Sequence, residues 1–317
     1  MIEQRKYVVQ GIFIVVALIF LVQLFAIQVA DKTYRDAANK NIILEEIEYP
    51  FRGPVYDRHG ALLVANKPEF DLLVTPNEVE IDDTLGFCSI LGISIEQFNE
   101  YLDAAKSYSW VKSSVFLKQV SNEEFAHFQD KLDEYKGFKI QARTVRAYEY
   151  PIMANALGYI SEIDPVELEQ DTAKYYHSGD YIGKSGLEQY YEIYMRGKRG
   201  RTLKIRNVRG VEKGSFDDGK LDTLAIPGLP LESTIDLELQ RYGELLMAGK
   251  AGSVVAIEPA TGEVLSIVSA PSYDPSLFSG REFSENFKIV SSDTNKPLFN
   301  RPLMAAYRPG SILSLIH

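Results

Sequence analysis

Between Val8 and Val29 the chain reads VVQGIFIVVALIFLVQLFAIQV, 22 residues without a charge. No other stretch limits the possible structures so sharply, because about 20 apolar residues suffice to cross a bilayer as a helix. Gln10, Gln23 and Gln28 are its only strongly polar side chains. A cleaved leader would have a shorter apolar region ending in small residues suited to cleavage, and Ala26 and Ala30 offer only a weak version of that site. An uncleaved anchor is expected. Arg5 and Lys6 precede the run and Asp31, Lys32, Arg35 and Asp36 follow it, so the lysine and arginine tally is too balanced to orient it. No later stretch would return the chain across a membrane, which implies a short cytoplasmic tail and a large external portion.

The rest of the 317 residues leave room for about two domains. Hydrophobic residues make up 45% and charged residues 25%, enough for a folded core. The formal net charge of -10 argues against a nucleic-acid partner. Cys88 is the single cysteine, which excludes an internal disulfide and reads as a small buried apolar residue. His59, His127, His177 and His317 are scattered and match no zinc spacing. No metal or cofactor is expected.

Residues 31 to 49 mix apolar and charged positions at helical spacing and read as a helix or linker. Phe51 to Asn66, FRGPVYDRHGALLVAN, predicts strand, Asp-x-x-Gly turn and strand. Arg52, Asp57 and Arg58 in it are read as structural ion pairing that ties the turn down, not as catalysts. Glu69 to Pro76 reads as a further strand. Ser94-Ile95-Glu96-Gln97 and Ser121-Asn122-Glu123-Glu124 are capping boxes. They open helices with Ile95, Phe98, Leu102 and Ala105 on one face, and Phe125, Phe128 and Leu132 on the other helix. The charges of these helices read as a solvated surface.

Gly183-Lys184-Ser185-Gly186 invites a phosphate-loop reading, but its spacing is wrong for G-x-x-x-x-G-K-[ST]. Residues 201 to 232 read as strand ends and a linker. Asp236 should cap a helix running to about Ala248, with Gly249 as its stop. Ser253–Glu258 and Glu263–Ser269 then read as two strands joined by a turn at Pro259-Ala260-Thr261-Gly262. The last stretch, Tyr307-Arg308-Pro309-Gly310-Ser311, looks like a turn that places Ser311 on the first turn of a helix. There, free N–H groups and the helix dipole converge, a favourable position for a nucleophile whose reaction develops an oxyanion.

These stretches resemble the class B penicillin-binding proteins. Phe51–Asn66 is similar to R-G-x-[IV]-x-D-R-x-G-x-x-L-A-x-N, which opens that family's non-catalytic domain. Arg146-Ala147-Tyr148-Glu149-Tyr150-Pro151 with Ala156-Leu157-Gly158-Tyr159 is similar to R-x-Y-P...H-x-L-G-Y, with Asn155 where histidine is common. Gly183 to Gly200 is similar to G-x-x-G-[LI]-E-x-x-[YF]-[ED]-x-x-L-x-G-x-x-G, with Met195 where leucine is usual. Ser269 to Pro275 is similar to S-x-P-x-[YF]-D-P. Ser311 stands where the family's S-x-x-K motif begins, with Ser314 at the lysine position. The blocks run in the family's order from about residue 50 to 317.

The resemblance implies an α+β chain: a single N-terminal transmembrane helix, an elongated pedestal, and the beginning of a serine-transpeptidase (β-lactamase-like) α/β domain. The expected boundaries are 1–30 for tail and anchor, 31–230 for the dimerisation or pedestal domain with a head at about 67–140, and 231–317 for a truncated transpeptidase domain. It implies crosslinking of peptidoglycan stem peptides through an acyl-enzyme on Ser311 during cell elongation, with β-lactams as competing acylating agents. The implied partners are a SEDS-type glycan polymerase and elongation-complex membrane proteins, at the inner membrane with the bulk periplasmic.

The later S-x-N and K-T-G motifs lie outside these 317 residues. Ser284-Glu285-Asn286 has the letters of S-x-N but precedes the nucleophile. A hydroxyl at Ser314 cannot serve as the base at neutral pH, and losing general-base help costs about 10²–10⁴ in rate. This chain is therefore expected to be inactive and unlabelled by penicillin. The two strands and one helix after residue 233 should leave an open edge and a loosely packed remnant. A non-enzymatic membrane scaffold and the division-specific paralogue are the alternatives. A penicillin sensor fits the long pedestal poorly.

Overall fold

In the computed structural model the chain is described over residues 2–25, 43–206 and 212–306. Ser311 and Ser314 lie outside the described residues. Helix α1, Ile2–Phe25, contains most of the apolar run, and Phe13 through Leu24 expose their side chains. Among the described residues, no helix is long and apolar enough to cross a membrane.

The chain divides into two units. The first takes residues up to Glu48 together with Arg199–Leu224. Its sheet orders β1 (Ile43–Glu48), β8 (Gly200–Arg206) and β9 (Glu212–Ser215), all antiparallel. β1 corrects the helix-or-linker expectation for this part. Its sequence ILEEIE meets the basic strand GRTLKIR, with Glu46 2.7 Å from Lys204 and Glu45 3.8 Å from Arg201. Cross-strand pairing of opposite charges favours a ladder over a helix here.

The second unit comprises Tyr49–Lys198 and the residues from Ala225 on. Its axis is β3, Leu62–Val74, one strand of 13 residues where the sequence suggested two. From Val64 onward β3 pairs with β5 (Phe138–Tyr148), from Val64↔Tyr148 to Val74↔Phe138. Its other edge is shared between β2 (Val55–Tyr56) and β4 (Ser114–Val120), and β10 (Leu231–Glu232) adds parallel to β2. The pairing with β5 carries β3 through Lys67 and Pro68, joining the two stretches read separately from the sequence.

One end of this sheet carries the head. Helices α2 (Thr84–Leu91), α3 (Ile95–Tyr108) and α4 (Asn122–Phe128) cover it, and both anticipated capping boxes are formed. Phe87, Phe98, Phe116 and Phe138 fill the core together with Leu72, Val74 and Cys88. Phe87 meets Phe98 and Phe138 with ring centroids 5.9 and 4.7 Å apart, tilted or edge-on as aromatic quadrupoles prefer.

The other end, the body, adds the hairpin of β6 (Ile160–Glu162) and β7 (Tyr181–Gly183). It also carries short helices α5 (Ala154–Leu157), α6 (Pro165–Gln170), α7 (Gly186–Tyr190) and α8 (Glu192–Met195). Its apolar core joins Val55, Val64, Leu157 and Met195 to Ile235 and Leu237. Those last two begin the final region. There α9 (Leu237–Leu246), capped by Asp236 as anticipated, lies on the hairpin of β11 (Gly252–Ile257) and β12 (Val264–Ala270). α10 (Phe283–Ser292) and α11 (Arg301–Met304) follow.

β11 has the open edge and exposed Val254, Val255 and Ile257 that two strands must leave. The described part is nonetheless not loosely packed, because the body supplies contacts that the expectation omitted. Leu237 N–H donates to Asp57, Met153 N–H donates to Glu244 at 2.7 Å, and Tyr273 and Phe278 pack around Ala154.

Candidate functional site

Two arrangements bear on function: a buried cluster of four charges in the body, and the segment that leads to Ser311.

Arg52, Arg146, Glu188 and Glu192 are all at least nine-tenths buried. Glu188 accepts from Arg52 Nε at 2.5 Å on one carboxylate oxygen and from Arg146 Nε at 2.6 Å on the other. Glu192 accepts from Arg52 Nη1 at 3.1 Å, from Tyr176 at 2.5 Å and from Gly183 N–H at 2.9 Å. Arg146 also donates to Asn66 Oδ1 and to Gly53 O, and Asn66 donates to Arg52 O. Two cations and two carboxylates cancel, and Arg52 meets Glu192 bidentately.

The protonation states follow from this geometry. Burial alone would lower the Arg52 pKa, but Glu188 and Glu192 outweigh it and hold it above its ordinary value. Burial likewise opposes ionisation of Glu192, yet Arg52, Tyr176 and the Gly183 N–H keep its carboxyl below the usual range. Burial and the neighbouring Glu192 push the Tyr176 hydroxyl up, so it stays a donor. With every group paired and shielded from solvent, the cluster has nothing to offer a substrate. It is a knot.

The knot needs its glycines. A side chain at Gly53 would put Cβ 1.8 Å from Leu229 O, and one at Gly183 would put it 2.1 Å from Glu188 O. The Arg-Gly pair, the Arg-x-Tyr stretch and the Gly-x-x-Gly-Leu-Glu stretch therefore converge on one point. Of the residues read as tying down the hairpin turn, Asp57 does so, accepting from His59 and Ala61 N–H. Arg58 instead reaches Glu263 at 3.3 Å near the surface. Arg52 is not at the turn. Lys184 pairs with Glu167 on α6 and with Asp164, the residue that caps it.

Towards the chain's end, Arg301 is the hub. Its guanidinium donates to Asn295 O at 2.6 Å, Lys296 O at 3.2 Å, and Phe299 O and Pro271 O at 3.4 Å. Its backbone N–H donates to Ser269 Oγ, which donates in turn to Phe299 O. Asn155, at the position where the resembled block favours histidine, donates to Pro297 O at 2.9 Å, and Asn300 donates back to Asn155 O. The body thus holds the final region at Pro297 and Asn300.

Sequence reasoning missed Arg301 and also Gln240. The latter is 0% exposed on α9. Its amide oxygen accepts from Ile267 N–H and Ser266 Oγ, while its nitrogen donates to Ile267 O and Glu244. The signal was its spacing of three from Leu237 and Gly243, both buried, with a polar letter on an inward face. Ser284-Glu285-Asn286 lies in α10, where Asn286 donates to Leu277 O. Among the described residues no group of three or more histidine, cysteine, aspartate or glutamate side chains could hold a metal ion.

Comparison with known proteins agrees with this arrangement. Residues 47–228 match the family described as penicillin-binding protein dimerisation domain, and residues 252–314 match the penicillin-binding protein transpeptidase domain. A curated relative, the peptidoglycan D,D-transpeptidase MrdA of Salmonella typhimurium, is 32% identical over 97% of this chain and 50% of its own length. Penicillin-binding protein 2 of Helicobacter pylori, solved in complex with MreC, superposes with a TM-score of 0.63 at 20% identity, covering 82% of this chain and 49% of that one. A structure titled for the coordination of polymerization and crosslinking by a peptidoglycan synthase complex gives 0.55 at 26% identity, covering 94% and 51%. The chain spans about half the length of the curated relatives it matches. It belongs to the penicillin-binding proteins, with their dimerisation domain followed by the beginning of a transpeptidase domain.

Proposed function

We propose that the protein serves peptidoglycan crosslinking as a D,D-transpeptidase of the penicillin-binding protein 2 type, with Ser311 as the position acylated by a stem peptide or a β-lactam. The observation that carries this reading is the knot of Arg52, Arg146, Glu188 and Glu192. It draws three separate family blocks into one pedestal body, and that body grips the segment leading to Ser311. In the proposed division, residues 1–30 are the anchor at the inner membrane, 31–230 the periplasmic pedestal with its head at about 67–140, and 231–317 transpeptidase sequence. A glycan polymerase and other elongation-complex membrane proteins are its proposed partners.

Ser314 sets the expected activity. Without a lysine to take the proton, acylation of Ser311 should be slower by about 10²–10⁴. Fluorescent penicillin applied to the full chain in detergent tests this. The expected result is negligible labelling that rises in Ser314→Lys and disappears in Ser311→Ala. Labelling that survives Ser311→Ala would overturn the assignment of the nucleophile. The second reading is a membrane scaffold without enzymatic activity. That reading predicts co-purification with the glycan polymerase in wild type and Ser311→Ala alike. Resistance of the membrane-bound chain to alkaline carbonate extraction tests the anchor independently.

A further inference from the structure

Three stretches of the body meet backbone to backbone beside the knot. Gly53 N–H donates to Met195 O at 2.8 Å, Gly228 N–H to Phe51 O at 2.8 Å, and Leu229 N–H to Tyr194 O at 2.9 Å. Lys198 and Ile226 exchange both backbone hydrogen bonds at 2.8 Å. The approach is so close that a Cβ at Gly228 would lie 1.8 Å from Met195 O. Little room is left between the stretches for side chains, and apolar ones turn outward. Phe51, Tyr190, Ile193, Tyr194, Ile226 and Leu229 are each between 56% and 81% exposed. Tyr191 links two of them, its ring centroid 5.0 Å from that of Tyr190 and 6.4 Å from that of Tyr194. At roughly 100–200 Å² left in water by each, the six come near the ~800 Å² per partner of a standard protein interface.

Such a patch calls for an occupant, since monomeric proteins rarely expose contiguous apolar surface of this size. It is also preorganised, because Pro227 and Pro230, both exposed, restrict the backbone that carries Ile226 and Leu229. The charges around it decide what the occupant is. Glu188 and Glu192 are engaged in the knot, and Arg196 is stacked on Tyr175 at 3.8 Å from the ring centroid. Two exposed charges flank the stretch, Lys198 beside Ile226 and Glu232 on β10, and neither has an ion-pair partner among the described residues. An anionic lipid surface would call for a rim of cations. One free cation and one free anion instead complement the same rim turned about a twofold axis.

We propose that a second copy of this chain docks on this face, across a twofold axis near Leu229. Leu229, midway in the chain between Ile226 and Glu232, then meets its own copy, and Lys198 of each protomer meets Glu232 of the other. The tyrosines of α7 and α8 supply large, rigid apolar contacts whose hydroxyls stay at the wet rim. Because the interface carries two such ion pairs, they fix its register as well as its face. The inference uses no residue after Glu232 and stands apart from the transpeptidase reading.

Sedimentation equilibrium of the full chain in density-matched detergent tests it. Wild type should be a reversible dimer, and Ile193→Asp should raise the dissociation constant about tenfold or more, as charging an apolar interface contact does. Lys198→Glu and Glu232→Lys should each raise it about two- to tenfold, the scale of two exposed ion pairs. The double exchange should restore the wild-type value. Leu229→Cys should form a disulfide-linked dimer under mild oxidation, whereas wild type, whose Cys88 is buried, should not. A monomeric wild type would overturn the proposal and leave the face to lipid or to another protein. A dimer indifferent to Ile193→Asp, or a double exchange that fails to restore it, would overturn the proposed face or its register.

Discussion

The head and the body solve the same problem in opposite ways. The head is held by a dense apolar core in which Phe87, Phe98, Phe116 and Phe138 interlock, and its helices begin at capping boxes encoded within four residues. The body is held at its centre by ionised groups whose partners lie 42 to 140 residues apart. Apolar packing tolerates partial repacking. A buried ionic knot does not, because removing one member leaves another charge unpaired in a low-dielectric setting. The head should therefore yield gradually to substitution and the body abruptly.

The largest effect should follow Arg146→Met. It leaves Glu188 short of a partner, with an expected loss of about 3–5 kcal/mol. Hydrogen exchange should show protection collapsing around 183–195 while 84–105 stays protected. Collapse of both at once would mean that head and body form a single cooperative unit. Leu72→Ala, which opens a cavity in the head core, should cost about 2–5 kcal/mol, read in the 84–105 peptides with the body spared. Ser94→Ala removes one half of a capping box and should cost about 1 kcal/mol, confined to α3 and measurable as faster exchange at 95–99.

The smallest effect is one of sign, at Glu69. Burial raises its folded pKa, against the opposing charges of Lys67 and Arg281. A raised folded pKa gives stability that is full below the unfolded value and is lost as pH rises through the folded one. Wild-type stability should thus fall from acid to neutral pH by a contribution that Glu69→Gln lacks. Urea titrations of both forms at several pH values would measure it. A Glu69→Gln variant that is less stable than wild type at neutral pH would mean that the carboxylate is already paired.

Some of this was legible before any coordinates. Ser94, Ser121 and Asp236 announced their helices because capping is a contact between neighbours three residues apart. The two apolar stretches flanking Pro259-Ala260-Thr261-Gly262 announced a hairpin, and the observed strands fall within a residue of the expected spans. The single strand from Leu62 to Val74 was less legible, because its pairing with β5 lies some 70 residues downstream. For the candidate site, the sequence singled out Ser311 and Ser314 by motif, positions that lie outside the described residues. It did not single out Arg301 or Gln240, whose importance rests on carbonyls and amides contributed by other strands and turns.

By itself, then, the sequence determined the order of the blocks, the caps, the turns and the family, since each of these depends on residues close together along the chain. Only the tertiary structure decided that Arg52 leaves its own hairpin for Glu188 and Glu192, and that Glu69 Oε2 is buried without a hydrogen-bond partner. Charges pair through space with whatever the fold brings within a few ångströms. That distance is not written in the spacing of the letters.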